Sequence, residues 1–261
     1  MHAVILAAGF GERMAKVSEK MPKGLLPIGG RALLDWVVTS VWVEPISKIH
    51  IVHNARDGEA YRTWKKGIRW VNKPGARTEP PYIRLVNNEV RKLEDRRGAV
   101  GDLEYVIGKL NRPGPLLVAF VDNIFPPLRT SDIDSLVNET PAITIRRIRD
   151  IDVPDELGKV HILEGQIHRI DKNGLNPYVF AGPSYISPES IPELREYCRL
   201  SREAELIPDD MGDYFGRIEC CRCVKNYDGP FFDVGTPDGY RSAQRFMTSG
   251  EPKWTRTARV S

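Results

Sequence analysis

The sequence of 261 residues contains only four cysteines, no long apolar run and almost no excess of charge of either sign. None of its hydrophobic runs approaches the ~20 residues that a bilayer-spanning helix needs. The formal net charge of +3 is too small to indicate nucleic acid or an anionic membrane as a partner. The N-terminus lacks a basic region ahead of a long apolar core, so no signal peptide is predicted and a cytoplasmic location is the default expectation.

Three of the four cysteines fall within residues 217–224, where Cys220 and Cys223 have the Cys-x-x-Cys spacing of a metal or redox pair. A structural zinc site needs four ligands, and neither a second cysteine pair nor a nearby histidine completes such a set. We therefore predict a strand over residues 217–224, and we expect no disulfides in a reducing compartment. The sequence likewise offers no obvious Ser/His/Asp or Cys/His set for nucleophilic catalysis.

Short apolar segments alternate with amphipathic helical segments through the first half of the chain. This alternation predicts a doubly wound α/β layer. The predicted strands cover residues 2–7, 49–52, 68–71, 83–86 and 115–120. The predicted helices cover residues 32–42 and 57–66, and a third helix begins after Gly98.

The second half of the chain consists mainly of strand patterns with few helices between them. The predicted strands cover residues 142–148, 159–163, 166–170, 178–186 and 217–224. Two helices are expected after Pro188 and Pro208, and a last helix over residues 237–246. We predict a single domain over residues 1–246 and a polar C-terminal tail over residues 247–261.

The chain opens with an apolar strand that ends in a loop of small residues, Ala-Ala-Gly-Phe-Gly, over residues 7–11. Glycines such as Gly9 and Gly11 let the backbone approach a ligand closely, and the N–H groups of such a loop form an anion-binding concavity. Arg13 and Lys23 add cationic donors that suit phosphate oxygens. This layout predicts a site that binds a phosphate chain beside a nucleobase.

Two other interpretations of this loop exist. A dinucleotide-binding fingerprint requires a third glycine, and Met14 occupies that place. The other alternative is an ordinary strand-to-loop turn with incidental basic residues.

Two consecutive motifs resemble the signature of the sugar-1-phosphate nucleotidyltransferases, also called nucleotide-sugar pyrophosphorylases. Residues 6–14 read Leu-Ala-Ala-Gly-x-Gly-x-Arg-Met, and residues 22–34 read Pro-Lys-x-Leu-Leu-Pro-Ile-x-Gly-Arg-x-Leu-Leu. The resemblance extends in the same linear order over roughly residues 1–246. It implies a Rossmann-like three-layer α/β sandwich with a mostly parallel central sheet. It also implies a nucleotide-binding part up to about residue 140 and a smaller sugar-binding β subregion over about residues 141–246.

Two aspartates are candidates for a metal site. Asp122 ends the predicted central strand, at the edge of the sheet where ligands bind in open α/β folds, and Asp233 precedes a turn and a helix start. Taken alone, each has a structural explanation as a strand-end cap or a turn brace. Asp122 is similar to the aspartate of the family's Gly-Asp-Asn-x-Phe segment, with Val121 in place of the glycine. Asp233 begins an intact Asp-x-Gly-Thr-Pro segment, and the resemblance implies that both aspartates bind Mg²⁺.

The resemblance also implies two sets of substrate-binding residues. The nucleotide-binding set is Leu6, Ala7, Ala8, Gly9, Gly11, Arg13 and Gly98. The set that binds the sugar phosphate is Lys23, Gly158, Asp171, Lys172 and Gly182. Asp171 stands where the family has glutamate and no proline follows Lys172, so a solvated turn lysine is the alternative interpretation. The implied catalytic residues are Arg13, Lys23 and Asp122.

The activity that the resemblance implies is transfer of a nucleoside monophosphate from an NTP to a sugar-1-phosphate or a similar phosphorylated alcohol. Pyrophosphate leaves and a nucleotide sugar forms. A phosphate monoester has a second pKa near ~6, so the attacking group is mostly dianionic at neutral pH and needs no general base. The expected partners are these two substrates, without nucleic acid or membrane. The motifs do not specify the sugar, the base or the oligomeric state, and they are compatible with a homo-oligomer.

Two rival functions fit the sequence less well. A glycosyltransferase that consumes nucleotide sugars would need an Asp-x-Asp metal motif, which residues 122–124 lack. A regulatory protein that binds nucleotide sugars without catalysis has no need of four charged residues at the site. The joint presence of these four argues against that function: they are Arg13, Lys23, Asp122 and Asp233.

Overall fold

A nine-stranded sheet forms the middle layer of the protein, with helices packed on both faces. The computed structural model describes residues 1–18, 21–68, 80–111, 113–138, 141–147, 159–163, 166–171, 178–218, 222–224 and 230–249. The strands are β1 (His2–Leu6), β2 (Pro27–Ile28), β3 (Arg31–Ala32), β4 (Lys48–His53), β5 (Tyr82–Asn87), β6 (Leu116–Phe120), β7 (Asn123–Ile124), β8 (Ala142–Arg147), β9 (Lys159–Leu163), β10 (Gln166–Asp171), β11 (Tyr178–Ile186), β12 (Arg222–Val224) and β13 (Phe232–Asp233). The helices are α1 (Ala15–Ser18), α2 (Leu33–Val41), α3 (Gly58–Gly67), α4 (Ala99–Gly108), α5 (Thr130–Asn138), α6 (Ile191–Glu203), α7 (Met211–Arg217) and α8 (Pro237–Thr248).

The first half of the chain supplies the parallel part of the sheet, in the order β5-β4-β1-β6. The interior strands β1 and β6 are almost continuously apolar because helices cover both of their faces. All four strands therefore end at one edge, which leaves the residues after Leu6, Asn87 and Phe120 side by side. The predicted three-layer α/β fold with a mostly parallel central sheet is confirmed.

The second half extends the same sheet with strands of mixed direction. β11 pairs antiparallel with β6 and with β8, β12 pairs parallel with β8, and the β9–β10 hairpin follows at the far edge. The two halves thus share one continuous sheet. The cleft that is described below opens where the antiparallel strands join the parallel ones.

Two large apolar clusters lie on the two faces of the sheet. One cluster packs α2, α3 and α5 against the sheet, and it includes Leu34, Tyr61 and Ile133. The other packs α4, α6 and α7 against the opposite face, and it includes Leu103 and Phe215. Burial of these side chains, at ~25 cal/mol per Å² of apolar surface, supplies the main driving force for this layering.

A third, smaller cluster joins the end of the described chain to its beginning. The apolar face of α8 packs on the β2–β3 hairpin and on α2. The Tyr240 hydroxyl donates a hydrogen bond to the carbonyl of Pro27 (2.8 Å), and the Gly29 N–H donates to Gln244 Oε1 (3.0 Å). This contact places the segment before α8 next to the segment before α2.

The structure corrects two of the predictions and adds one helix. The predicted strand at 217–224 is wrong at its start, because α7, whose N-terminal N–H groups are capped by Asp210, runs through Arg217 and the described strand is Arg222–Val224. The last helix extends to Thr248, past the predicted start of the tail. Helix α5 was not predicted, since its polar sequence buries only Ile133 and Leu136.

Two further predictions concern parts of the chain beyond the described ranges. Residues 69–71 of the predicted strand at 68–71 lie there, and so do residues 219–221 of the cysteine-rich segment. Among the helices in the described ranges, none is long and apolar enough to cross a membrane.

We predict that Gly98→Ala destabilises the fold. Gly98 has φ 78°, and a Cβ there would lie 2.6 Å from the carbonyl oxygen of Pro208. Strained backbone of this kind costs roughly 1–3 kcal/mol, so the melting temperature of the variant should fall by several degrees. Gly108→Ala, in the same helix and with open space at its Cβ position, is the matched control and should leave the melting temperature unchanged or slightly raised. Equal melting temperatures for the two variants would contradict this packing.

Candidate active site

A cleft of about 540 Å³ lies at the carboxyl ends of β1, β5 and β6. One wall is the loop after β1, and the floor includes the ends of the parallel strands. The opposite wall comes from the second half of the chain, through Ile170, Phe180 and the segment 209–212. This is the edge at which open α/β sheets bind their ligands.

The loop after β1 is bent by a left-handed residue and anchored by a buried one. Gly11 has φ 69°, a conformation that favours glycine, and its carbonyl accepts the N–H of Met14 (2.9 Å). Met14 is fully buried, so its side chain anchors the loop where a dinucleotide-binding fold would have its third glycine. Gly9 is exposed, with open space at its Cβ position. The main chain of the loop is therefore accessible to a ligand.

Residues that the sequence did not indicate hold this loop in place. Asn54 Nδ2 donates to the carbonyl of Ala8 (3.1 Å), and the hydroxyl of Tyr61 donates to the carbonyl of Ala7 (3.1 Å). The Arg56 guanidinium lies 4.7 Å from the ring centroid of Phe10. These contacts link the loop to the end of β4 and to α3, and no sequence motif marked them.

Lys23 and Asp122 form an ion pair in the cleft. Lys23 Nζ donates to Asp122 Oδ2 at 2.6 Å. The Lys23 side chain is 14% exposed and the Asp122 side chain is 17% exposed.

Val121, which stands where the family has glycine, is accommodated by a glycine opposite it. A Cβ on Gly24 would lie 2.8 Å from Val121 Cγ2. The valine therefore packs into space that Gly24 leaves, and the Asp122 carboxylate still reaches the cleft.

Asp233 lies beside Asp122 although 110 residues separate them in the chain. β13 pairs antiparallel with β7, which sets Asp233 opposite Asn123, and the N–H of Val234 donates to the carbonyl of Asp122 (2.7 Å). The Cβ position of Gly235 lies 2.9 Å from Asp233 Oδ1 and 3.5 Å from Asp122 Oδ2. Arg13 Nη2 lies 3.3 Å from the same point. Both carboxylates and one guanidinium thus meet around Gly235.

The two carboxyl groups have opposite pKa shifts. Burial alone would raise the pKa of Asp122, but the attraction and hydrogen bond of Lys23 outweigh it, with help from Arg13, and the pKa lies below its usual value. Burial raises the pKa of Asp233 to about 6, and the Asp122 carboxylate adds to the rise, against the Gly235 N–H and the two cations. Asp233 is therefore the carboxyl whose charge is poorly compensated by the protein alone.

This pair of carboxylates fits a hard divalent cation. Magnesium usually takes one or two protein carboxylates and completes its shell with water and phosphate oxygens. Among the described residues, no group of three or more His, Cys, Asp or Glu side chains could form a closed protein cage. The donor set is therefore of the kind that shares its cation with a phosphorylated substrate.

The structure brings together most of the residues that were predicted for the site. The cleft is lined by Leu6, Ala8, Gly9, Gly11, Arg13, Lys23, Gly98, Asp122 and Asp233. Ala7 does not line it, because its side chain packs in the core under the sheet. Gly182 does not line it either, and its φ of 120° lies where the pairing of β11 with β8 shifts register. Gly158 and Lys172 lie outside the described residues, and Asp171 is described only as the end of β10.

We predict opposite effects of two matched substitutions on the stability of the metal-free protein. Asp233→Asn removes a poorly compensated buried charge, and because its raised pKa corresponds to about 3 kcal/mol of destabilisation at neutral pH, the melting temperature in EDTA should rise. Asp122→Asn removes the partner of Lys23, so the melting temperature should fall. A fall for Asp233→Asn would show that the two carboxylates do not repel each other.

The sequence matches known proteins over most of its length. A model of the MobA-like NTP transferase domain matches residues 3–142. A candidate mannose-1-phosphate guanyltransferase of Sulfolobus acidocaldarius is 24% identical over 273 residues, covering 99% of this chain and 67% of the relative. The bifunctional protein GlmU of Stenotrophomonas maltophilia is 38% identical over 73 residues, which is 27% of this chain and 15% of that protein.

Solved structures share the fold. A candidate glucose-1-phosphate thymidylyltransferase of Bacillus anthracis superposes with a TM-score of 0.70 at 18% identity, covering 96% of both chains. The inositol-1-phosphate CTP transferase of T. maritima gives a TM-score of 0.66 at 15% identity, covering 95% of this chain and 96% of its own. The domain match spans more than half of the chain and contains the loop after β1, Lys23 and Asp122. The protein therefore belongs to the family of the MobA-like NTP transferase domain and is a nucleotidyltransferase.

Proposed function

We propose that this protein transfers a nucleoside monophosphate from an NTP to a sugar-1-phosphate, or to a similar phosphorylated alcohol, with release of pyrophosphate. The main support is the convergence of Asp122, Asp233 and Arg13 around Gly235, next to the glycine loop. The names of the relatives, which act on mannose-1-phosphate, glucose-1-phosphate and inositol-1-phosphate, agree with this substrate class. A cytoplasmic location remains a prediction from the sequence.

The chemistry requires positioning and charge neutralisation more than proton transfer. The attacking phosphate monoester is largely dianionic at neutral pH, so the barrier comes from bringing two anions together. The N–H groups of the loop and Arg13 would bind the β- and γ-phosphates that depart. A divalent cation held by Asp122 and Asp233, which we propose to be Mg²⁺, would neutralise phosphate charge when it is bound.

Lys23 has two roles in this proposal. Without substrate its ammonium group compensates Asp122, and with substrate it would turn to the phosphate that approaches the α-phosphorus and to the charge that develops there. Lys172, Gly158 and Asp171 would bind the sugar phosphate from the second half of the chain. The cleft wall formed by Phe180, Met211 and Gly212 would enclose the sugar.

The two rival functions receive less support. A glycosyltransferase would use a second aspartate two residues after Asp122, where Ile124 instead belongs to the strand that pairs with β13. A protein that only binds nucleotide sugars has no need of a buried, mutually repelling pair of carboxylates. Such a pair is costly unless a cation binds there.

The direct test is a pyrophosphate-release assay with the four common NTPs, a panel of sugar-1-phosphates and Mg²⁺. We expect release that requires both substrates and that falls about 10²–10³-fold in Asp122→Asn, the usual cost of losing one charge-stabilising contact. Glu59→Gln, on the exposed face of α3, is the control and should retain activity. Absence of release with every pair, or transfer from a nucleotide sugar to an alcohol, would contradict the proposal.

A second prediction concerns Lys23→Met. The variant leaves Asp122 without its partner, so its melting temperature in EDTA should fall below that of the wild type. Added Mg²⁺ should then raise the melting temperature of the variant more than that of the wild type, because no ammonium group competes for the carboxylates. Pyrophosphate release should remain low despite the bound cation. Equal Mg²⁺-induced shifts in the two proteins would contradict the dual role of Lys23.

A further inference from the structure

The cleft contains a buried carboxyl group that the mechanism above does not use. Asp102 is 7% exposed on the first turn of α4, and it lines the cleft beside Asn88, which is 2% exposed. Asn88 Nδ2 donates to Asp102 Oδ1 at 2.7 Å, and Asn88 Oδ1 accepts the N–H of Val90 at 3.0 Å. The amide is thereby fixed with its oxygen toward the main chain, and its NH₂ group orients the carboxyl of Asp102.

The second oxygen of this carboxyl is available to a ligand. Across the described part of the chain, Asp102 Oδ2 has no hydrogen-bond partner. The nearby Arg97 instead donates its Nε–H to the carbonyl of Asn88 (3.0 Å) and stacks on Tyr105, with 4.4 Å between guanidinium carbon and ring centroid. Asp209, the other acidic neighbour, accepts the N–H of Ala99 (2.9 Å). Neither residue neutralises Asp102 by direct contact.

The electrostatic environment keeps this carboxyl ionisable near neutral pH. Burial raises the pKa of Asp102 to about 6, and Asp209 adds to the rise, whereas the hydrogen bond from Asn88 and the charge of Arg97 oppose it. The group is therefore mostly a carboxylate at pH 7.5. A carboxylate accepts hydrogen bonds only.

Asp102 lies at the end of the cleft away from the phosphate-binding groups. Asn88 follows β5, whereas Asp122 follows β6, and the sheet order β5-β4-β1-β6 puts three strand spacings of about 4.8 Å each between them. The glycine loop after β1 lies between the two ends. A nucleotide whose phosphates contact Arg13 and Asp122 would extend its base toward Asn88 and Asp102.

We propose, on the basis of the function proposed above for the same cleft, that Asp102 is the residue that selects the nucleobase and that it selects guanine. Guanine presents two adjacent donors, N1–H and the 2-amino group, which one carboxylate can accept together. Cytosine, adenine and uracil each place at least one acceptor lone pair on that edge, and a fixed carboxylate repels it. Such a site selects guanine in two ways: the carboxylate attracts the two donors of guanine, and it leaves the acceptors of the other bases unpaired.

The test is calorimetric titration of the wild-type protein and of Asp102→Asn with GTP, CTP, UTP and ATP in the presence of Mg²⁺. We expect the wild type to bind GTP about 10- to 100-fold more tightly than the other three, the usual discrimination of one bidentate contact to a base. In Asp102→Asn one acceptor becomes a donor, so the preference for GTP should fall by about tenfold or more. Glu104→Gln removes a carboxylate from the same helix, where it pairs with Arg202 outside the cleft, and should retain the preference.

Inosine triphosphate provides a second measurement that needs no variant and so does not depend on the folding of Asp102→Asn. It lacks the 2-amino group, and we expect the wild type to bind it about tenfold more weakly than GTP, because a hydrogen bond to a charged group is lost. Equal binding of the two, a wild type that prefers another base, or an unchanged preference in Asp102→Asn would overturn the assignment. Binding is read without turnover, so a protein that prefers GTP but releases no pyrophosphate would contradict only the proposed function.

Discussion

The repulsion between two carboxylates that the fold holds together is the interaction on which the site depends. In an unfolded chain Asp122 and Asp233 would move apart, because two neighbouring negative charges raise the free energy of the state in which both groups are ionised. Pairing of β13 with β7 prevents that separation, and Lys23 compensates only one of the two groups. The charge of Asp233 therefore stays poorly compensated, beside a loop that binds anions. A divalent cation bound by the carboxylates would neutralise this charge, and a phosphate chain could then bind the loop and the cation together.

Much of the architecture serves to keep this arrangement in place. Helix α8 packs back on the β2–β3 hairpin and α2, so the segment with Asp233 and the segment with Lys23 are fixed by one small core. On the other side of the cleft, the carbonyl of Pro208 accepts the N–H of Val100, and Gly98 leaves room for that contact. The two halves of the chain therefore enclose the cleft through backbone contacts that require glycine at defined positions.

The fold was predictable from the sequence where local pattern and tertiary environment agree. Apolar runs such as Leu116–Phe120 can be stable only as buried strands, and the amphipathic spacing around Val37 is satisfied only by a helix, so both were found with bounds close to the observed ones. Helix α5 was missed because it buries few side chains. The start of the predicted strand at 217 was wrong because α7, which buries Tyr214 and Phe215, continues through Arg217. Loop-anchoring residues such as Asn54 were also missed, since an isolated polar residue has no periodicity.

The sequence by itself determined the family, the α/β class and the chemical types of the groups at the site: the glycine loop, Arg13, Lys23 and two aspartates. These follow from local motifs, whose residue types and spacings are fixed by close backbone approach and by phosphate chemistry. Only the tertiary structure decided that Asp233 lies beside Asp122, that Ala7 and Gly182 do not line the cleft, and that Asp102 does. The physical reason is that strand pairing, sheet order and helix packing bring distant residues together, and these long-range contacts leave no periodic signal in the chain.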